Sequence, residues 1–209
     1  MHVLIISATA QEISPFVQHH PGTEVLITGV TVPATIFSLQ QKLSQQHYDF
    51  IIQAGIAGAF TDEFPLSQVT LVSTDRFADT GAMEADGYKD VYDMKLADAN
   101  IYPYREGWLD NNTPMIHTVD LPKVKAITIN TIHEEKAYND ILHSKYNVDI
   151  ESMEGAAFHY CCLQQKVSFL QLRAISNYVG ERKKEKWKLK ESIVNLNKAL
   201  DKIVHTLNH

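Results

Sequence analysis

Short apolar runs that alternate with helical patterns are the feature of this chain that most constrains its fold. The runs cover residues 2–7, 24–28, 50–53, 69–74, 126–129 and 167–175. Apolar residues at helical spacing occur over 34–44 and again over the last segment, 193–207. Alternation of this kind is typical of α/β proteins, in which helices cover a mainly parallel sheet. We therefore predict an α/β fold with a mixed, mainly parallel central sheet flanked by helices.

The length and composition of the chain fit one folded unit. It has 209 residues, of which 44% are hydrophobic, and this is enough for one sizeable core. No internal repeat, low-complexity tract or Pro/Gly-rich linker divides the sequence. Residues 1–209 are therefore expected to form a single domain. Cys161 and Cys162 are neighbours in a predicted helix, where a bridge between them would be strained, so both are expected to be reduced.

The charge and hydropathy patterns disfavour several kinds of partner. The net charge is −6 and no basic stripe is present, which argues against nucleic acid. The first apolar run is too short for the core of a signal peptide, and no run approaches membrane-spanning length. We therefore expect a cytoplasmic protein with no membrane partner. His19, His20 and the H-E-E run at 133–135 lack the spacing of metal ligands, so we predict no metal and no cofactor.

The segment 149–177 carries the most informative polar residues. A helix is predicted over 153–165, with one face that buries Met153, Ala156, Ala157, Tyr160 and Cys161. Glu154 then lies in the first helical turn, where the helix dipole favours a carboxylate. A carboxylate can accept hydrogen bonds from both hydroxyls of a ribose. Acidic residues are also common in first turns for structural reasons alone, and the spacing does not choose between these two interpretations.

A buried strand is predicted over 167–176, and Asn177 follows it. Ligands of open parallel α/β sheets collect at the carboxyl ends of strands, so the Asn177 amide lies where it could bind a base. An asparagine that simply closes a strand and begins a turn is the structural alternative.

Two motifs carry a resemblance to a known family. M-E-G-A-A at 153–157, followed by R-A-I-S-N at 173–177, resembles the nucleoside phosphorylase/nucleosidase superfamily, and within it most closely the futalosine hydrolase family of the futalosine route to menaquinone. Supporting pieces are A-T-A-Q-E at 8–12, Q-A-G-I-A-G at 53–58, D-R-F-A-D at 75–79 and the segment 177–187. The resemblance covers nearly the whole chain and implies a nucleoside phosphorylase-like fold.

The resemblance also implies a site and a reaction, the hydrolysis of the N-glycosidic bond of futalosine to hypoxanthine and dehypoxanthine futalosine. During this cleavage, positive charge builds on the ribose and negative charge on the departing base. Glu12 is expected to activate water, and Asn177 to stabilise the leaving base. Met153 is expected to pack below the ribose, and Glu154 to bind its diol. Gly55 and Phe77 are expected to contribute to substrate binding.

Hydrolysis is favoured over phosphorolysis because Glu12 follows the first strand and no Lys or Arg precedes Lys42. A carboxylate repels phosphate but can activate water. The Gly55–Gly58 turn by itself is only weak evidence for a phosphate-binding loop, because glycine also allows a strand and a loop to pack closely. Relatives that cleave adenine nucleosides carry Asp at the position of Asn177. The amide of Asn177 can instead donate to O6 or N7 of a 6-oxopurine.

Several alternatives stay open at this stage. The chain could be another purine nucleosidase, of the methylthioadenosine/adenosylhomocysteine type, a purine nucleoside phosphorylase, or a noncatalytic nucleoside-binding protein. The carboxylate on the futalosine tail requires a cation, and Arg76, Arg105 and Arg182 are equal candidates. Residues 77–122 lack clear periodicity and are predicted to be loop-rich; they are either a connector or, as the resemblance implies, lie near the ligand tail and the interface of a homodimer.

Overall fold

The computed structural model of the chain describes residues 1–207. Its α-helices are α1 (Ala10–His19), α2 (Val32–Gln45), α3 (Lys136–Tyr146), α4 (Gly155–Gln165) and α5 (Leu189–Leu207). Its strands are β1 (Val3–Ser7), β2 (Glu24–Ile27), β3 (Phe50–Ala59), β4 (Val69–Asp75), β5 (Gly81–Glu84), β6 (Gly87–Asp90), β7 (Leu109–Asp110), β8 (Lys123–Thr128), β9 (Ile150–Ser152) and β10 (Ser168–Tyr178). Single 3-10 turns occur at Pro114–His117 and Lys184–Lys186.

The central sheet closes on itself. One edge of β3 pairs with β10 along its whole length, while the other edge pairs first with β1 and then with β9. Because β10 also pairs with β4, β4 with β8, and β8 with β9, these strands and β3 form a ring. The pairings of β1 with β2 and β3, of β3 with β10, and of β8 with β4 and β9 are parallel. The predicted mixed, mainly parallel sheet is therefore confirmed.

Alternation along the strands places two apolar layers on opposite faces of the sheet. Ile5 of β1 packs in the cluster that holds Phe16 of α1 and Leu196 of α5. The neighbouring residues Leu4 and Ile6 pack instead with Leu39 of α2 and with α4, as the second cluster shows. The predicted segments over 34–44 and 193–207 are helical and supply these covering faces, so both helix predictions are confirmed.

Helix α4 differs in two respects from its sequence prediction. It begins at Gly155 rather than at residue 153, so Glu154 is the N-cap residue and does not lie in the first turn. Met153 and Tyr160 are only half-buried, whereas Phe158, His159 and Cys162 are buried along with the predicted Ala156, Ala157 and Cys161. The reason is that α4 packs against α2 as well as against the sheet, so a single apolar stripe does not describe it. Both cysteines are unbridged, as predicted.

The region 77–122 is rich in loops, as predicted, but it also contains the β5–β6 hairpin. Arg76 anchors this region through a 2.5 Å ion pair to Asp90, and its guanidinium lies over the rings of Tyr92, Trp108 and Tyr146. None of the helices within residues 1–207 combines the length and the apolar character needed to cross a bilayer.

Candidate active site

A pocket of about 280 Å³ opens where β1, β3 and β10 end and β9 crosses β3. Glu12, Met153, Glu154 and Asn177 all line it, together with Glu151 and Arg182. Four of the predicted site residues, which belong to three separate parts of the sequence, thus line one cavity. The position agrees with the rule that ligands of parallel α/β sheets bind beyond the carboxyl ends of strands.

Glu12 lies at the third position of α1 and forms a capping box with Thr9. Its Oε2 accepts hydrogen bonds from the Thr9 backbone N (3.0 Å) and Oγ1 (2.7 Å), and from Ser7 Oγ at 3.4 Å. Its Oε1 accepts from the backbone N of Ile56 at 3.1 Å. Oε1 accepts one hydrogen bond where Oε2 accepts three, so Oε1 has a free acceptor site for a water molecule in the pocket. The helix cap therefore fixes the orientation of a potential general base.

Glu154 is buried at the start of α4 and is held from two sides. Its Oε1 accepts from the backbone N of Thr31 at 3.2 Å, and its Oε2 lies 3.6 Å from Arg173 Nη1. Its side chain makes no cap hydrogen bond to α4, so the carboxylate is available to the pocket. The helix itself is capped by others: Gly155 N donates to Ser152 Oγ and Ala156 N to Thr128 Oγ1.

Thr31 holds Glu154 at some cost in backbone energy. Its φ is 89°, in the left-handed region that a β-branched residue rarely adopts. Strain of this kind is retained where the surrounding structure over-determines a conformation, often at functional sites. Here the unusual backbone aims the Thr31 N–H at the carboxylate of Glu154.

Arg173 lies behind the carboxylates of Glu12 and Glu154. This side chain is buried inside the sheet, where Nε donates to Gln171 Oε1 (2.8 Å), Nη2 to Gln53 Oε1 (3.0 Å) and Nη1 to the carbonyl of Ile56 (3.3 Å). Sequence reasoning used Arg173 only as part of a motif. Gln53 and Ile56 lie more than 100 residues away in the sequence, so no local spacing predicted that this cation would be buried here.

Gly55 and Phe77 do not line the pocket. A Cβ on Gly55 would approach Arg173 Nη1 to 2.5 Å and Glu12 Oε1 to 3.3 Å. The glycine therefore makes room for the guanidinium behind the site. Phe77 is half-buried beside Thr128, to which its backbone forms an isolated bridge. The structure thus places Gly55 beneath the other predicted residues and Phe77 away from them.

Asn177 lies within β10, near its end, rather than just after it. Its Oδ1 accepts from Ser176 Oγ at 2.8 Å, and its Nδ2 donates to the carbonyl of Tyr178 at 3.1 Å. An amide nitrogen has two hydrogens, so one of them stays available to a ligand in the pocket. These two contacts orient the amide.

Glu151 is a pocket residue that sequence reasoning missed. It is 6% exposed, and its Oε2 has no hydrogen-bond partner. Burial raises the pKa of Glu151 to about 7, an effect that the nearby charge of Arg182 partly opposes. The strand β9 that carries it has only three residues, too few for a period-2 pattern to reveal which way each side chain points.

The three candidate arginines occupy different environments. Arg76 is buried in its ion pair with Asp90, and Arg105 pairs with Asp110 at 2.6 Å. Arg182 is exposed, lies over the ring of Trp187 at 5.8 Å and lines the pocket with it. No group of three or more His, Cys, Asp or Glu side chains within residues 1–207 has the arrangement of a metal site.

The Phosphorylase superfamily matches residues 22–207 of this sequence. This match spans most of the chain, which therefore belongs to the Phosphorylase superfamily. The futalosine hydrolase of Streptomyces coelicolor is 26% identical, and the alignment covers 99% of this chain and 97% of the relative. The futalosine hydrolase of Thermus thermophilus is 25% identical over 96% of this chain and 94% of its own length.

Solved structures share the fold. Futalosine hydrolase of Helicobacter pylori superposes with a TM-score of 0.80 at 13% identity, covering 98% of this chain and 97% of that protein. The methylthioadenosine/S-adenosylhomocysteine nucleosidase of Neisseria meningitidis, solved with methylthio-immucillin-A, has a TM-score of 0.81 at 15% identity and covers 98% of both chains. The fold prediction is confirmed on this basis.

Proposed function

We propose that the protein is an enzyme that hydrolyses the N-glycosidic bond of futalosine, releasing hypoxanthine and dehypoxanthine futalosine for menaquinone biosynthesis. The observation that carries this proposal is the convergence of Glu12, Glu154 and Asn177 in one pocket. The relatives from Streptomyces coelicolor and Thermus thermophilus, aligned over nearly the whole chain, are futalosine hydrolases and support the same substrate.

The pocket geometry supports a different role for each of these residues. Glu154 accepts hydrogen bonds from the ribose hydroxyls, and Met153 packs against the sugar. The free acceptor site of Glu12 Oε1 holds the attacking water and takes its proton as the water oxygen bonds to C1′. The Asn177 amide donates to the departing 6-oxopurine. A positioned donor of this kind contributes about 3 kcal/mol to transition-state stabilisation.

The environment of Arg173 supports water rather than phosphate as the nucleophile. All three nitrogens of its guanidinium are already engaged, with Gln171, Gln53 and the carbonyl of Ile56. Its charge faces Glu154 across 3.6 Å. The guanidinium has further N–H groups that are not used by these partners, but a phosphate bound to them would lie against the Glu154 and Glu12 carboxylates, which repel it.

The test is to incubate the purified protein with futalosine, inosine and methylthioadenosine, each with and without phosphate. Hypoxanthine release from futalosine in phosphate-free buffer is expected, with a much lower rate for methylthioadenosine. Product that appears only with phosphate and contains a ribose 1-phosphate group would identify a phosphorylase instead. A preference for methylthioadenosine would identify an adenine-nucleoside hydrolase.

Arg182 is our choice for the cation that binds the carboxylate of the futalosine tail. Within the described residues that line the pocket, it is the one Lys or Arg, and the ring of Trp187 beside it can pack against an aromatic group. Because Arg182 is exposed, its ion pair is screened and worth about 1 kcal/mol at most.

The change Arg182→Ala is expected to raise KM for futalosine about fivefold and to leave KM for inosine, which has no tail, unchanged. Lys183→Ala, at an exposed neighbouring position, serves as the control and should alter neither constant. Equal increases for futalosine and inosine would show that Arg182 does not read the tail.

We also propose that residues 1–209, of which 208 and 209 lie outside the described part, form one domain that assembles as a cytoplasmic homodimer. Exposed apolar side chains in the loop-rich region support an interface there: Met83, Leu96, Ile101 and Tyr102. Sedimentation at micromolar concentration is expected to give a dimer. A monomer with full activity would contradict this interface.

A further inference from the structure

Asn177 leaves one step of the proposed reaction without a donor. When the C1′–N9 bond breaks, its electron pair goes to the base, and a purine that accepts a proton at that moment leaves more easily. A neutral amide can donate a hydrogen bond, but it cannot give up a proton. A carboxyl group near Asn177 would complete the step.

Glu151 lies beside Asn177 in the same pocket. Gly58 of β3 pairs directly with Glu151 of β9. A Cβ built on Gly58 would be 3.3 Å from Asn177 Nδ2 and 3.5 Å from Glu151 Cγ. The two side chains therefore flank a single glycine from opposite sides, and both face the cavity.

The Glu151 carboxyl also lacks the contacts expected of a structural acid. Its Oε2 is buried and has no partner, although buried polar groups are nearly always hydrogen-bonded. Glu12 shows the opposite case, because its two oxygens accept from four donors. An unpartnered carboxyl that lines a pocket is the arrangement expected when the missing partner is the ligand.

We propose that Glu151 is the general acid that protonates a ring nitrogen of the departing purine. The inference rests on the proposed hydrolysis and assigns its remaining proton. The carboxylic proton of Glu151 goes to the base as the C1′–N9 bond breaks, while the water oxygen bonds to C1′ and the water proton goes to Glu12. The neutral purine leaves, and Glu151 is then ionised while Glu12 is protonated. Glu12 releases its proton to solvent and Glu151 takes one up, which restores the starting state. Burial raises the pKa of Glu151 to about 7, so a substantial fraction of this carboxyl stays protonated at neutral pH.

The decisive comparison uses Glu151→Gln with two substrates of different leaving group. For futalosine, kcat is expected to fall about 100-fold or more, the usual contribution of a general acid. For 4-nitrophenyl β-ribofuranoside, whose leaving group departs as a stable anion, the rate should be unchanged. Glu63→Gln, an exposed carboxylate outside the pocket, is the matched control and should behave like the parent protein.

The pH profile gives a second readout that does not depend on the nitrophenyl substrate. Groups that face Glu151 are the Arg182 charge, the Tyr138 hydroxyl on α3, and the carboxylates of Glu12 and Glu154 across the pocket. The His133 ring lies against the Tyr138 ring in a tilted arrangement, with 3.8 Å between the ring centroids. In the parent protein, kcat/KM for futalosine should fall as the pH rises through about 7. That fall should be absent in Glu151→Gln.

Thermal unfolding shows whether the variant is folded. The folded-state pKa of Glu151 is raised above its ordinary value of 4.5, so its contribution to stability is fully present below pH 4.5 and is lost as the pH rises through about 7. Glutamine does not titrate. The Tm of Glu151→Gln relative to the parent should therefore increase between these two pH values.

Two results would overturn the assignment while leaving the proposed function intact. One is a parent enzyme that cleaves futalosine and a Glu151→Gln variant that retains its kcat. The other is an equal loss for both substrates with the pH profile unchanged, which would make Glu151 a structural residue. Failure of the parent enzyme itself to cleave any purine nucleoside would instead contradict the proposed function.

Discussion

Glu12→Gln is expected to reduce kcat for futalosine by about 100- to 10,000-fold, the range for loss of a general base. Glutamine has nearly the same shape, so substrate binding should be retained. Its amide has only one acceptor oxygen, however, and the NH2 group would face either Ile56 N or the Thr9 donors that Glu12 now accepts. Weakening of the capping box should therefore also cost about 1 kcal/mol of stability.

The measurement pairs single-turnover kinetics with the binding of a nonhydrolysable nucleoside analogue. Asn197→Ala is a suitable control, because Asn197 on α5 holds the same helix through Phe16 N and the carbonyl of Glu12 without touching the carboxylate. It should lower Tm and leave kcat at 25 °C largely intact. If Asn197→Ala lost turnover as fully as Glu12→Gln, the effect would come from the position of α1 and not from proton transfer.

Asn177→Asp is expected to reduce kcat/KM for futalosine about 100-fold, which corresponds to about 3 kcal/mol in the barrier. The new carboxylate can still accept from Ser176 Oγ. Its other oxygen would face the carbonyl of Tyr178, to which the amide now donates, and would oppose the lone pairs of O6 and N7 of a 6-oxopurine. Cleavage of the 6-amino analogue should rise relative to futalosine, because a carboxylate accepts from an amino group.

The experiment measures kcat/KM for futalosine and its 6-amino analogue in both proteins. Asn195→Asp makes the same chemical change outside the pocket, where the amide donates to the carbonyl of Ser67, and should not alter the preference. An unchanged ratio of the two substrates in Asn177→Asp would mean that this residue does not read the base.

The parts of the fold that carry strong periodic patterns were predictable from the sequence. Asn177 follows an apolar run and Glu12 comes shortly after another, so the topology of a parallel sheet predicts that both lie near the same edge; their catalytic roles come from the family resemblance and stay predictions. Glu154 lines the same pocket, although its helix begins one residue after it. These placements depend on local patterns together with one general rule about sheets.

The rest depends on pairings between distant parts of the chain. Arg173 interrupts an apolar strand, and its acceptors on β3 come from Gln53 and Ile56, which no spacing connects with it. Glu151 belongs to a strand of three residues, whose direction is set by the closure of the sheet against β3. The burial of α4 on several sides likewise follows from its neighbours and not from its own sequence pattern.

The long strand β3 contacts the two proposed proton-transfer residues and the residue proposed to bind the base. Ile56 contacts Glu12, and Gly58 lies between Glu151 and Asn177, while β10 pairs with β3 along its full length. The spacing between the base that activates water and the acid that releases the purine is therefore set by the pairing of β9 with β3 and by the hydrogen bond from Ile56 N to the Glu12 carboxylate. Because core strands open less readily than surface loops, we expect local opening of the loops to leave this spacing unchanged.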